Sequence, residues 1–350
     1  MIREDNDLAF MLQYENVAWY EDGKVKILDR RIYPTKIEFV TCNTHQEVAK
    51  AIADMVTQSA GPYTAAGMGM ALAAYECRHM GKNEAIEYLE NAAYTLSNAR
   101  PTTASRMKQV TEGCLKAAKT AFDEGKQVDE AIFLRTIDSL NRRYSTMSEV
   151  AKYLVDMFPN KGSIMTQCFG ETIVGTMLRE AKARDKDIKL FVPETRPYFQ
   201  GARLTASVAY DQGFDTTVIT DNMPAFTMVT KKIDLFTSAA DAICLDGHVV
   251  NKIGTYQIAI ASKYHEVPYF VTGIPDKDHP SISSVTIEER DASLVLEARG
   301  IKNTLEGVKG YYPSFDIVPP HLVSGVVTDK GIYTPYDLNR YFETKVEEFY

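Results

Sequence analysis

A chain of 350 residues exceeds one comfortable domain, and a composition that is 45% hydrophobic and 25% charged excludes intrinsic disorder. The formal net charge of -8 excludes a broadly basic nucleic-acid surface, because displacing counterions from phosphates takes clustered Lys and Arg. The N-terminal MIREDNDLAF lacks a signal-peptide core, no apolar run reaches the roughly 18 residues of a membrane span, and the five cysteines show no CxxC pair. Neither a zinc site nor a disulfide framework is expected, and reduced thiols fit a cytoplasmic protein.

In chain order, residues 16–40 read as short strands around an Asp22-Gly23 hairpin turn, a small β cap. Thr44-His45-Gln46-Glu47 is a capping box, and Val48, Ile52, Met55 and Val56 give the helix behind it one apolar face. Gly61-Pro62 breaks that helix. The following AAGMGMALAAY is rich in small side chains that permit close backbone approach, with helix packing as the expected reason. Helical periodicity continues over 85–96, 107–122 and 128–140, then over 148–158.

Beyond Pro159-Asn160-Lys161-Gly162 the pattern changes to short strands alternating with helices, at 163–167, 188–192, 216–220, 235–239 and 269–272. This predicts an α/β protein: a mainly helical N-terminal domain with a small β cap over residues 1–145, and a Rossmann-like parallel-sheet domain over 146–350. Cys168, Glu194-Thr195-Arg196, Asp221-Asn222, Asp241 and Gly273 each stand just after a strand, where a doubly wound sheet opens its ligand crevice. No Walker loop or GxGxxG fingerprint occurs, so a nucleotide cofactor is not indicated.

Taken singly, each of these residues also has a plainer role. An Asp after a strand commonly caps a turn, and free cysteines are among the most buried residues. At the amino end of the helix that follows, Cys168 has its thiolate favoured by helix amides. The stretch 194–205, ETRPYFQGARLT, places two guanidinium forks and a Gly turn before a helix, a composition suited to phosphate.

That stretch, Asp221-Asn222-Met223, the SAAD segment ending in Asp241, and the NKIGTY that begins at Asn251 together resemble the methylthioribose-1-phosphate isomerase family. The family also holds ribose-1,5-bisphosphate isomerases, 5-deoxyribose-1-phosphate isomerases and regulatory subunits of translation initiation factor 2B. The resemblance runs from about Leu28 to Gly331 and is strongest between Ile164 and Thr272.

The resemblance implies an aldose-ketose isomerase of a 5-substituted ribose 1-phosphate, 5-deoxyribose or 5-methylthioribose, working in salvage of nucleoside by-products such as methionine salvage. Ribose-1,5-bisphosphate isomerase, or a non-catalytic regulatory subunit, is the alternative. It implies Cys168 and Asp241 as the catalytic pair and Arg100, Gln200, Asn251 and Lys252 as substrate contacts. It further implies no metal or cofactor, a small sugar phosphate as the only ligand, no nucleic acid or membrane partner, and a homodimer. The apolar segment from Phe315 to Val327 is either its interface or a core strand. Two departures stand out: the family's R-G-A-P-A-I-G loop reads QSAGPYTAAG, with Gln58 nearest the lost arginine, and Phe169 follows Cys168 where the family has asparagine. Phe169, Tyr198, Met223 and Phe226 are expected to form an apolar pocket for the C5 substituent, and a dry pocket is expected around Asp241.

Overall fold

The computed structural model describes residues 3–100, 104–287 and 289–343. The chain divides into two compact units, Met1–Thr146 and a second beginning at Met147.

In the first unit a short helix, α1 (Tyr14–Val17), precedes the antiparallel strands β1 (Trp19–Glu21), β2 (Lys24–Leu28) and β3 (Phe39–Cys42). Asp22 and Gly23 turn the hairpin with φ of 49° and 71°, the left-handed pair that matches strand twist. Helix α2 (His45–Ala53) is capped as its sequence requires. The Thr44 hydroxyl accepts from the Glu47 N–H at 3.2 Å, and the Glu47 carboxylate accepts from the Asn43 N–H at 2.7 Å, a cap worth about 1 kcal/mol.

Pro62 sits in the first turn of α3 (Gly61–Glu76), where a missing N–H costs nothing. The small-residue run of this helix is buried for packing: a Cβ on Gly67 would meet Thr136 at 2.6 Å, and one on Gly69 would meet Leu96 at 2.9 Å. Helices α4 (Lys82–Ser97), α5 (Ala104–Glu124) and α6 (Val128–Asp156) follow. The last is one helix of 29 residues, where the sequence suggested two. The polar stretch 141–147 contains neither Gly nor Pro, so nothing interrupts its hydrogen-bond ladder.

In the second unit the chain runs β4 (Lys161–Thr166), α7 (Thr172–Ala183), β5 (Asp187–Pro193), α8 (Ala206–Asp211), β6 (Asp215–Ile219), α9 (Pro224–Thr230) and β7 (Leu235–Ala239). A two-residue β8 (Ala242–Ile243) and β9 (Val249–Lys252) lead into α10 (Thr255–Tyr264) and β10 (Tyr269–Thr272). A long excursion with α11 (Ser293–Leu296), β11 (Glu297–Ala298) and β12 (Ile301–Lys302) precedes β13 (Phe315–Val318), β14 (Gly325–Thr328) and β15 (Gly331–Tyr333).

The main sheet has the order β15-β14-β10-β7-β4-β5-β6, parallel except for β15. Its inner strands are buried on both faces, and their apolar side chains, Met165, Phe191, Phe236, Tyr269, Val271 and Val326 among them, form one core cluster. The five strands expected from sequence are all present. The segment from Phe315 to Val327 supplies β13 and the start of β14, and Phe315, Val318, Val323, Val326 and Val327 are buried in the core.

Candidate active site

Strand order decides where a ligand goes. The chain leaves β4 toward β5 and β6 on one side and returns to place β7 on the other, so the direction of winding reverses between β4 and β7. At such a switch point the two strand-end loops diverge and open a crevice. In the β4–β7 register Thr166 lies opposite Thr237, with Cys168 and Asp241 a few residues beyond, so the two groups flank the switch point.

Cys168 is partly buried and takes a left-handed φ of 58°. Its carbonyl accepts a hydrogen bond from the Thr205 hydroxyl. Glu171, Thr195 and Phe199 are also left-handed, with φ of 45°, 63° and 57°, so the loops after β4 and β5 concentrate backbone strain of about 1–2 kcal/mol per residue.

The thiol is pushed up to about 11, chiefly by burial; the Lys252 ammonium pulls the other way, while the Asp241 and Asp221 carboxylates add to the rise. The thiolate expected from a helix amino terminus is therefore overturned: at neutral pH the group holds its proton, because desolvation and two carboxylates outweigh the amides and the lysine. Asp241 itself is exposed, not enclosed in a dry pocket, and its N–H donates to the Val250 carbonyl at 2.8 Å.

Beside this pair lies a turn held unusually tightly. Lys252 is 5% exposed, and its ammonium donates to the Ser314 carbonyl at 3.1 Å and sits 4.3 Å from the centre of the Phe315 ring. Asn251, also 5% exposed, donates through Nδ2 to Thr255 Oγ1 at 3.1 Å. Gln167 Nε2 donates to the Ile253 carbonyl at 3.2 Å, tying the turn to the end of β4. Gly254 has φ 104°, which a side chain would strain, and its missing Cβ leaves room for Gln167 Nε2 at 3.0 Å.

The loop after β5 is organised differently. Asp221 accepts from the Thr195 and Arg196 N–H groups at 2.8 and 2.7 Å. Gly201 opens a π turn where a Cβ would lie 1.8 Å from the Pro193 carbonyl. Gln200 ends the loop 5% exposed, and its side-chain oxygen has no hydrogen-bond partner among the described residues.

Both guanidinium groups expected to suit a phosphate are turned onto backbone: Arg196 donates to the carbonyls of Leu294, Val295 and Glu297, the shortest at 2.8 Å, and Arg203 to that of Tyr198 at 2.6 Å. Glu194 has its pKa raised by burial and by the neighbouring Asp221 carboxylate.

The four residues expected to form an apolar pocket differ in burial. Phe169 is buried, Tyr198 stands 6.3 Å from the ring of Tyr312, and Met223 and Phe226 are 39% and 69% exposed. Arg100 belongs to the first unit, just past the end of α4. In the same unit Gln58 is buried and its carbonyl accepts from Arg30 at 2.8 Å, while Arg143 from α6 reaches Thr64 Oγ1 at 3.1 Å. The turn before α3, which lacks the family's arginine, is thus met by guanidinium groups from elsewhere in the chain. Among the described residues no group of three or more His, Cys, Asp or Glu side chains is arranged to hold a metal ion, and no helix is long and apolar enough to cross a membrane.

A thiol and a carboxylate on either side of a parallel-sheet switch point, with a buried lysine beside them, define a doubly wound α/β protein built around a small-molecule site. The chain belongs to the initiation factor 2 subunit family, whose model matches residues 58–335. It is 35% identical over 326 residues to a putative methylthioribose-1-phosphate isomerase of Methanocaldococcus jannaschii, covering 91% of this chain and 95% of that one. It is 32% identical over 330 residues to the methylthioribose-1-phosphate isomerase of Chloroflexus aurantiacus, with the same coverage. Among solved structures it is similar to 5-methylthioribose 1-phosphate isomerase from Pyrococcus horikoshii, with TM-score 0.83, 27% identity, and 96% and 99% of the two chains covered. It is also similar to the delta subunit of translation initiation factor eIF-2B from A. fulgidus, with TM-score 0.81, 29% identity, and 94% and 99% covered.

Proposed function

We propose that the protein is an aldose-ketose isomerase converting a 5-substituted ribose 1-phosphate to the ribulose 1-phosphate. The observation that carries this reading is the retention of Cys168 and Asp241 at the β4–β7 switch point. A sugar phosphorylated at C1 cannot open to a free aldehyde, so the enzyme must break the C1–ring oxygen bond while hydrogen moves from C2 to C1. With its proton held at neutral pH, Cys168 protonates the departing ring oxygen, and Asp241 takes the proton that the C2 hydroxyl loses as the ketone forms. Lys252, Asn251 and Gln200 hold the sugar phosphate.

The carboxylates of Glu194 and Asp221 after β5 and β6 favour an uncharged C5 substituent, because a second phosphate beside them would be repelled. Methylthioribose 1-phosphate is the first substrate of choice, following the names of the relatives, and 5-deoxyribose 1-phosphate the second. The decisive experiment is ketose formation from these two and from ribose 1,5-bisphosphate by the purified protein. Preference for the bisphosphate overturns the assignment of the tail, and no turnover of any of them makes the chain a binding subunit.

We infer that the protein acts as a homodimer. Met223 at the N-cap of α9, Phe226 and Val229 on that helix, and Tyr256, Ile260 and Tyr264 on the adjoining α10 are 39–81% exposed. They are exposed apolar side chains on two helices in contact, the kind of surface that an association partner covers. A second copy suits such a patch because it is uncharged and meets itself without repulsion. Sedimentation should give twice the chain mass, falling to one chain in Phe226→Asp; a monomeric wild type rules the dimer out.

A further inference from the structure

Three consecutive residues outside the strand-end loops, Ser314, Phe315 and Asp316, grip the Asn251–Tyr256 turn at every level. Strand β13 pairs with β9 so that Phe315 lies opposite Lys252 and Asp316 opposite Asn251. The Ser314 carbonyl accepts both the Ile253 N–H, at 3.2 Å, and the Lys252 ammonium, and the Phe315 ring lies beside that ammonium. Asp316 Oδ2 alone accepts the N–H groups of Gly254 at 2.7 Å and Tyr256 at 2.9 Å. These are amides at the start of α10, which have no partner within the helix.

A carboxylate in this place answers both the open amides and the positive end of the helix dipole. It also fixes Gly254, the one left-handed residue of the turn, two positions after Lys252. Burial works against keeping a carboxylate here, as the upward shift of its pKa records. Simple sheet pairing does not require a charge at this position, so the use of the carboxylate is local.

We propose that Asp316 is a positioning residue for substrate binding: it anchors the 251–256 turn so that Asn251 and Lys252 meet the sugar phosphate in one fixed arrangement. The inference rests on the isomerase reading above, in which those two residues are substrate contacts. Displacements of about 1 Å in such groups cost up to a hundredfold in productive binding.

The test compares Asp316→Ala and Asp316→Asn with the wild type in steady-state kinetics on methylthioribose 1-phosphate and in hydrogen exchange over residues 251–256. Asp316→Ala should lose protection at Gly254 and Tyr256 and raise KM by about thirtyfold, with kcat within about threefold, because the acid-base pair is untouched. Asn, which keeps an acceptor in place, should restore KM to within about threefold of the wild type. An unchanged KM in Asp316→Ala overturns the proposal, as does an Asn variant as impaired as the Ala one, or a fall in kcat equal to the rise in KM. If the wild type itself turns over no sugar phosphate, the isomerase reading has failed, and the positioning role falls with it.

Discussion

The loop after β5 and the turn after β9 look alike as sequence. Each joins a strand to a helix, and each carries cationic charge near a glycine, two arginines in the first and one lysine in the second, the composition of an anion site. In the structure they part company. Arg196 donates through Nη2 to carbonyls of Leu294, Val295 and Glu297, while its Nη1 is buried with no hydrogen-bond partner among the described residues. Arg203 donates to the carbonyl of Tyr198, so the β5 loop uses much of its charge to hold the chain together. Lys252 gives one donor to Ser314, and its charge reaches the Cys168 thiol. A rigid planar fork can strap several carbonyls at once, whereas a compact ammonium acts as a point charge on its neighbours. The type of cation, and not merely its presence, separates scaffold from site.

The largest expected effects fall on the pair that this charge acts on. Cys168→Ser and Asp241→Asn should each lower kcat at least about a hundredfold with little change in substrate affinity, the usual contribution of an acid or base group. Near-normal kcat under saturation in either variant would remove that residue from the chemistry. It would also leave Lys252 without a reacting group to influence.

The electrostatic side of the comparison can be read without substrate. Cys42, Cys77, Cys114 and Cys244 are buried, so alkylation of the native protein by iodoacetamide reports on Cys168. With the thiol pushed up to about 11, the reactive thiolate is scarce at neutral pH, and its fraction grows about tenfold per pH unit below that value. The alkylation rate should therefore rise about a hundredfold between roughly pH 7.5 and 9.5 without levelling off. Lys252→Met removes the cation that lowers this pKa, so its alkylation should be slower at every pH in that range. A plateau near neutrality would mean a thiolate and would reverse the proposed role of Cys168.

On substrate, Lys252→Ala should raise KM by about tenfold, the loss of one charge-assisted contact to phosphate, with a smaller change in kcat. Calorimetric titration with the substrate checks this at the level of binding. Equal affinity in variant and wild type would place Lys252 with the arginines, as scaffold.

How much of this was legible in sequence follows from the range of each interaction. The five parallel strands and the Thr44 cap rest on residues a few positions apart and were readable as alternation and capping box. The ordered strand ends brought Cys168 and Asp241 to one edge for the same reason. The sheet of β8, β9 and β13 was not readable, because one of its strands has two residues and another lies some 60 positions further along the chain. The partners of Arg196 are likewise about 100 residues away, so the sequence could not show that its Nη2 donates to backbone carbonyls. Burial of Cys168 reversed the expectation of a thiolate, and burial is a property of the whole fold. Asp316 left only a faint trace, a lone carboxylate in the apolar run FDIV.

The smallest effect on catalysis should come from the β5 loop, and that is where the contrast is sharpest. Arg196→Met keeps much of the side chain's bulk but removes the donors to the 294–297 carbonyls, leaving partly buried acceptors without partners. Each such loss costs about 1–3 kcal/mol, so the midpoint of urea unfolding should fall. Turnover per folded molecule should stay within about threefold, because Asp221 still holds the Thr195 and Arg196 amides and so keeps Gln200 at the head of its turn. A stable Arg196→Met protein with sharply raised KM would reverse the assignment. The guanidinium would then meet the ligand itself, and the two loops would be two halves of one anion site.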